Sequence, residues 1–449
     1  MKSERATHEN GAEHKLPQNC SIPPTPDSIT GMIFAAEGLA NTVTLLNGPM
    51  GCKFYHSTTS GHLVVRPPLY LPAGDAGQAE NADAGNAGDG KAVRLIPVSY
   101  QFLDSFFFRQ SRVPCTWLDG DDYIYGTSEQ VRAALAYLRE HVAFDLLVIV
   151  DSPGASLIGD DLASICAEEL PGRRTVILES PGYSQSFDEG YARTGLEILR
   201  QGFAEEIRRT GNAVTAGRRP RVNLLGLSIW QRYFEGDLQE LERLFKLIGV
   251  DVHTAFLGGS TADEIRALGE ANLNVAVFPE RGLEQARWLE ETVGTPYYVF
   301  EDLPLGFRAV ENGFREIAEL LGADAAPLLE ESERARALAY AKIRALHEMS
   351  GMPEGATFHV AGDPAQVRAY SAFLTGYLGM VPSSEEEAEL VFGDANTIAA
   401  LMTRRSGGRD AFCGIEISFP GMGYTDLIPK THLGIQGALF LTEQVLNGL

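Results

Sequence analysis

Residues 146–170 read LLVIVDSPGASLIGDDLASICAEEL. An apolar, β-branched run over 146–151 meets a Ser-Pro-Gly turn and is followed by an amphipathic stretch over 160–169 that carries Cys166. A short apolar run followed by a helix is the repeating unit of a parallel sheet covered on both faces. The same alternation recurs along the chain. In the first third, strands are expected over 43–47, 93–99 and 175–179, with helices over 128–141 and 189–209. After the breaker TAGRRPR at 215–221, a second series has strands over 222–227, 252–257, 275–279 and 297–300 and helices over 238–247, 262–268 and 283–293. A long helix over 330–347 leads to a third series, with strands over 357–361, 390–393 and 415–419 and a closing helix over 433–446. The expected fold is α/β, with three Rossmann-like domains whose parallel sheets surround a central cleft. Their intervals are 20–215, 216–349 and 350–449, after a polar tail at 1–19. The stretch 73–91, AGDAGQAENADAGNAGDGK, has nothing to anchor a core and is expected to be a low-complexity loop inside the first domain.

Composition narrows the function. The chain has 449 residues, 44% of them hydrophobic, which is globular usage. Lys plus Arg is 37 against 60 Asp plus Glu, a formal charge of −23, so a nucleic-acid backbone or an anionic membrane surface would repel it. The apolar runs are far shorter than the roughly 20 residues of a membrane span, and the start MKSERATHEN lacks a signal-peptide core. The expectation is a cytoplasmic protein without nucleic-acid or membrane partners. Neither GxxxxGK[ST] nor a GxGxxG directly after a strand is present, so binding of ATP or NAD through the usual phosphate loops is not expected.

Five cysteines, Cys20, Cys52, Cys115, Cys166 and Cys413, are odd in number and widely spaced, which argues against a disulfide framework. Cys52 ends LLNGPMGC, directly after an expected strand, where Gly48 and Gly51 permit a tight turn and a helix start would stabilise a thiolate. Cys20 in NCSIPPTP and Cys115 in RVPCTW lie in Pro-stiffened segments. Free cysteines are most often small buried hydrophobes, and no CxxC gathers two of these thiols. Spacing alone therefore leaves metal ligation and simple burial both open. The pair Asp160 and Asp161 follows Gly159 and precedes LASI, the setting of a helix N-cap rather than of a catalytic dyad. His56 and His432 are candidates for the surroundings of a site, each with an ordinary polar role as the alternative.

Several segments together resemble the nitrogenase component 1 superfamily. VTLLNGPMGCKFYHS is similar to its hallmark turn, in which a strand runs into H-G-P-x-G-C and the cysteine binds an iron–sulfur cluster. SLIGDDLASI, ESPGYSQSFDEGY, VAGDPAQVRAYSAFLTGYLGM, AELVFGDANT, EISFPGMGYTDL and LGIQGALFLTEQVLN resemble further family segments in the same order, covering nearly the whole chain from Cys20 onward. The resemblance implies three Rossmann-like domains, a homo- or hetero-dimer or tetramer with another component 1-like chain, and a separate ATP-hydrolysing iron protein that delivers electrons. That arrangement would explain the missing P-loop.

Carried over residue by residue, Cys52 matches the hallmark cysteine and Cys20 the one before it, with a gap of 52 − 20 = 32 residues, a few longer than usual. The place of a third cysteine, just before LIGDD, holds Ser152. Either Cys115, in a segment resembling one that passes near the cluster in β-type chains, supplies the third thiolate, or an oxygen donor at Ser152 or Asp151, or a partner chain, completes the site. A harder oxygen donor lowers the reduction potential without losing the iron. Ser186 matches a serine near the cluster. The implied cofactor is an iron–sulfur cluster, [4Fe–4S] or P-cluster-like, on Cys20, Cys52 and Cys115. NVAVFPERG lacks the cysteine, and GMGYTDL the histidine, that hold a molybdenum–iron-type cofactor in the family's active subunits, so none is expected here. The implied activity is that of an electron-transfer subunit of a nitrogenase-like reductase acting on a substrate or cofactor in the interdomain cleft. The alternative is a metallocluster assembly scaffold or carrier.

Overall fold

The structure, a computed structural model, describes residues 26–53, 113–180, 185–211, 219–405, 412–419, 426 and 428–449. The low-complexity loop, the strand expected over 93–99, Cys20 and His56 lie outside these residues.

Three parallel sheets come from three successive stretches of chain. The first has the order β1 (Thr42–Asn47), β2 (Leu146–Asp151), β3 (Arg174–Glu179). β4 (Arg221–Leu225), β5 (Asp251–Ala255), β6 (Leu273–Ala276) and β7 (Tyr297–Val299) form the second, in the order β5-β4-β6-β7. β8 (Thr357–Val360), β9 (Val381–Pro382), β10 (Leu390–Gly393) and β11 (Cys413–Glu416) form the third, in the order β11-β10-β8-β9. In the second and third sheets the first strand is flanked on both sides by later ones. The chain direction therefore reverses between β4 and β6 and between β8 and β10, the places where such sheets open a crevice at their carboxyl ends.

β1 and β2 are buried along their whole length, as strands covered on both faces must be. Val43, Leu45, Leu147 and Ile149 turn to one side and pack on Leu135, Leu138, Leu162 and Ile165. Leu46, Val148 and Val176 turn to the other, where helix Ser28–Glu37 and residues of the second unit, among them Leu225, Phe256 and Leu289, share one core. A further core joins the second and third sheets through Val222, Phe314, Phe358, Phe392 and Leu441.

Helix Ser28–Glu37 crosses helix Phe187–Glu197 in backbone contact. A Cβ on Gly31 would sit 2.0 Å from the Phe187 carbonyl oxygen, and one on Gly190 would sit 2.0 Å from that of Ser28. All ten residues of Ser28–Glu37 are buried, so it has no polar face, and helical periodicity does not reveal it. Helix Gly306–Leu321 is also absent from the sequence-based expectation; it opens on Gly306, at φ +79°, and carries a second glycine at Gly313. The helix expected over 189–209 is three pieces: Phe187–Glu197, a π-helical turn Ile198–Phe203, and Ala204–Thr210. The strand expected over 415–419 ends at Glu416, and Phe419 leaves the sheet to stack on Trp230, ring centroids 4.8 Å apart. Among the described residues no helix is long and apolar enough to cross a membrane.

Candidate functional site

The carboxyl end of β1 carries the hallmark turn. Asn47 closes the strand, Gly48 follows, and Met50–Lys53 form a 3₁₀ turn in which the Cys52 N–H donates to the Pro49 carbonyl at 3.2 Å. Cys52 is half-buried on this turn. Cys115, expected in a loop, lies instead on a short extended segment running parallel beside β1. The Leu46 N–H donates to the Pro114 carbonyl and the Thr116 N–H to the Leu46 carbonyl, each at 3.0 Å. Pro114, directly before Cys115, made this extended edge segment read as a loop.

This pairing brings Cys115 to the turn that bears Cys52. The Cys115 side chain is 0% exposed. Its thiol is pushed up by burial, while the Lys53 ammonium, the Trp117 backbone N–H and a hydrogen bond from Lys53 oppose that shift; Cys52 is close enough to add to it. Lys53 is 2% exposed and its Nζ donates to the Val113 carbonyl at 2.5 Å. Burial lowers its pKa, and Cys115 works in the opposite direction.

Ser152 lies on the neighbouring strand end. It is buried, it caps helix Pro153–Ile158 by accepting from the Ala155 N–H at 3.4 Å, and a Cβ on Gly48 would come within 2.7 Å of its Oγ. Glycine at 48 is therefore what lets the two strand ends approach. Tyr123 joins them: its hydroxyl hydrogen-bonds Ser152, it senses Cys52 and Asp151, and burial raises its pKa. Its ring lies over Gly154, where a Cβ would sit 2.7 Å from Cε1.

A polar hub fixes these strand ends. Asn47 Nδ2 donates to Asp151 Oδ1 at 2.8 Å and to Thr127 Oγ1 at 3.1 Å, while its Oδ1 accepts from Thr116 Oγ1 at 2.9 Å. Burial raises Asp151 to about 6 against the opposing Asn47 hydrogen bond. The Asp160–Asp161 pair does capping work on two different helices. Asp161 caps Leu162–Glu169 by accepting from the Ser164 N–H at 3.0 Å, and Asp160 accepts from the Thr127 N–H at 2.6 Å and Ser128 Oγ at 2.8 Å at the start of Ser128–His141.

The structure thus brings together Cys52, Cys115 and Ser152, and adds Lys53 and Tyr123, which sequence reasoning passed over. Lys53 directly follows the hallmark cysteine and Tyr123 lies in the segment around Cys115, each without a motif of its own. Ser186 is exposed and occupied by a capping box: Glu189 N–H donates to its Oγ at 3.3 Å and its own N–H donates to Glu189 Oε2 at 2.7 Å. Cys166 is buried on its helix, its thiol pushed up to about 11 by burial, and Cys413 opens β11. Among the described residues no three His, Cys, Asp or Glu side chains gather as a metal site, so the expected thiolate set is represented here by Cys52 and Cys115.

The donor chemistry of these side chains fits an iron–sulfur cluster. Two soft sulfur donors, Cys52 and Cys115, stand at a strand end, the Trp117 N–H points at the Cys115 sulfur and the buried Lys53 lies beside it, a setting suited to thiolates that carry a negative cluster.

A second feature lies at the crevice between β4 and β6, a small cavity closed by Gln231, Phe278, Arg281, Tyr370, Ser418 and His432. His432 is buried there, lowered to about 4 by burial; its Nδ1 pairs with the Tyr370 hydroxyl at 2.7 Å and its Nε2 with Gln444 at 2.5 Å.

Fold and site define a three-sheet α/β protein with a pair of thiols at the end of its first strand and a crevice lined from the other two units. The chain belongs to the nitrogenase component 1 type oxidoreductase family, whose model matches residues 98–384. That family binds metal clusters and works with an ATP-dependent partner. The chain is similar to a light-independent protochlorophyllide reductase subunit of Synechococcus sp. (strain RCC307), 29% identical over 223 residues, which cover 48% of this chain and 42% of that protein. It is similar too to the corresponding protein of Prochlorococcus marinus (strain MIT 9211), 30% identical over 236 residues, 50% of this chain and 43% of that one. The matched stretch thus spans less than half the length of these relatives. Among solved structures, nitrogenase Cp1 at pH 6.5 superposes with a TM-score of 0.65 at 14% identity, covering 100% of this chain and 94% of that one, a likeness of fold.

Proposed function

We propose that this chain is the iron–sulfur-cluster-binding subunit of a nitrogenase-like reductase. It takes electrons from a separate ATP-hydrolysing iron protein and passes them to a substrate or cofactor in the crevice between its domains, which we take as 20–215, 216–349 and 350–449. The observation that carries this reading is the meeting of Cys52, Cys115 and Lys53 at the carboxyl end of β1. Cys52 and Cys115 would hold the cluster, with Cys20 or a residue of a second component 1-like chain completing it. A bound cluster supplies a one-electron relay at low potential. The Trp117 N–H and Lys53 orient and stabilise the Cys115 sulfur, while the Asn47 hub holds the two strand ends at fixed spacing. Two independent signals support the family part of this reading, the family match over 98–384 and the hallmark turn ending in Cys52.

The test is anaerobic reconstitution with iron and sulfide. The wild-type protein is expected to turn brown and retain iron through gel filtration, and Cys52→Ala to lose most of both while keeping its circular dichroism. A folded wild-type chain that stays colourless and iron-free, alone and with a component 1-like partner, refutes the proposal.

A further inference from the structure

We infer that Lys53 is a positioning residue for the candidate cluster: its buried ammonium, placed against the Cys115 sulfur, raises the cluster's reduction potential. This rests on the reading above, in which Cys115 is a ligand.

The geometry comes from chain connectivity. Lys53 ends the 3₁₀ turn that carries Cys52, and its side chain reaches across to the edge segment that carries Cys115, where Nζ donates to the Val113 carbonyl at 2.5 Å. Val113 precedes Cys115 by two residues, and Lys53 reaches both, hydrogen-bonding the Val113 carbonyl and the Cys115 side chain. Lys53 is 2% exposed.

Burying a lysine is costly unless anionic or strongly polar partners receive its charge. The Val113 carbonyl takes one of its three donors and the Cys115 side chain another. A cluster thiolate on Cys115 would supply negative charge where the carbonyl supplies only a dipole. Reduction adds one more negative charge to the cluster, delivered as one electron by the ATP-hydrolysing partner. A fixed cation beside the sulfur stabilises the reduced form more than the oxidised one, which moves the potential upward. Because the ammonium is out of water, added salt screens this interaction weakly.

The experiment compares the wild-type chain with Lys53→Met and Lys53→Arg, each reconstituted anaerobically and titrated with a reductant while the reduced cluster is followed by EPR. Expected are full iron content, a midpoint potential displaced to lower values in Lys53→Met, a return toward the wild-type value in Lys53→Arg, and the same displacement at low and high salt. An unchanged midpoint in iron-loaded Lys53→Met overturns the inference, as does a displacement that vanishes at high salt. If Lys53→Met fails to fold or to hold iron, pulsed EPR of the reduced wild-type cluster, from cells fed isotope-labelled lysine, decides. Coupling to a lysine nitrogen supports the contact and its absence overturns it. An iron-free wild type overturns both readings and is recognisable because no variant is involved.

Discussion

Arg281 and Asp188 meet across two of the three sheets. The Arg281 Nε, in the first turn of helix Pro279–Val293, lies 3.5 Å from Oδ1 of Asp188, in the first turn of helix Phe187–Glu197, with side chains only 2% and 15% exposed. The third unit joins them: Asp363, the cap of helix Pro364–Leu378, hydrogen-bonds Asp188, and Glu280 Oε1 accepts from the Ala365 N–H at 3.1 Å. Helix starts from the three chain intervals therefore converge on one guanidinium, which also lies over the rings of Phe278 at 4.2 Å and Phe419 at 5.4 Å. Carboxylates suit helix N-termini, whereas a cation there is opposed by the dipole, so the acids hold Arg281 in place.

Substituting Arg281→Met is expected to destabilise the chain by about 3 kcal/mol at pH 8, because removing one member of a buried pair leaves the other charge without compensation. The loss should shrink at pH 5, where Asp188 takes up a proton and ceases to be a buried charge. The double variant Arg281→Met/Asp188→Asn is expected to recover at least half of the loss at pH 8. Urea denaturation at the two pH values reads all three quantities; equal losses at both would show that Arg281 acts by packing alone.

Asp188 should also shape the wild-type stability curve. Burial, with Asp363 and Glu280 adding to it and Arg281 opposing it, raises its pKa from 3.8 to about 7. A carboxyl raised on folding binds more protons native than unfolded between these values, so its contribution is fully present below about pH 4 and is lost as pH rises through about 7. The span is on the order of 2–4 kcal/mol. Asp188→Asn, whose amide does not titrate, should flatten the curve between about pH 4 and about pH 7, measured as the urea midpoint against pH. A slope unchanged by the substitution would assign the pH dependence to other groups, of which Asp151 and Asp237, each raised to about 6 by burial, come first.

What could be read from the chain alone follows from which signals are local. The apolar run Leu146–Asp151 and the Gly48–Cys52 turn are continuous in sequence, and both stand where the alternation places them. Helix Ser28–Glu37 is hidden because complete burial erases its periodicity. Lys53 and Arg281 are charged residues of a type that is almost never buried without a partner. Their roles become visible only when Cys115, 62 positions beyond Lys53 (115 − 53), and Asp188, 93 before Arg281 (281 − 188), come into contact. The same holds for Tyr123, whose hydroxyl reaches Ser152 from another segment.

Ser152 stands where the family resemblance expects a third cysteine, and its surroundings make Ser152→Cys informative. The hydroxyl is buried between Gly48 and Tyr123 at the start of helix Pro153–Ile158. In the iron-free chain the substitution removes a helix cap and should cost about 1 kcal/mol. The larger sulfur has little room toward Gly48, where even a Cβ would approach within 2.7 Å, so it is expected to turn toward Tyr123 and Cys52. A third soft donor should then strengthen iron binding. Reconstituted Ser152→Cys is expected to withstand about tenfold more chelator than the wild type, equivalent to ~1.4 kcal/mol, and to show a higher reduction potential if the wild-type oxygen is a ligand. A variant that loses iron more readily than the wild type would mean that the Ser152 hydroxyl serves the pocket through its cap and its bond to Tyr123, and that the cluster takes its remaining ligand from another segment or another chain.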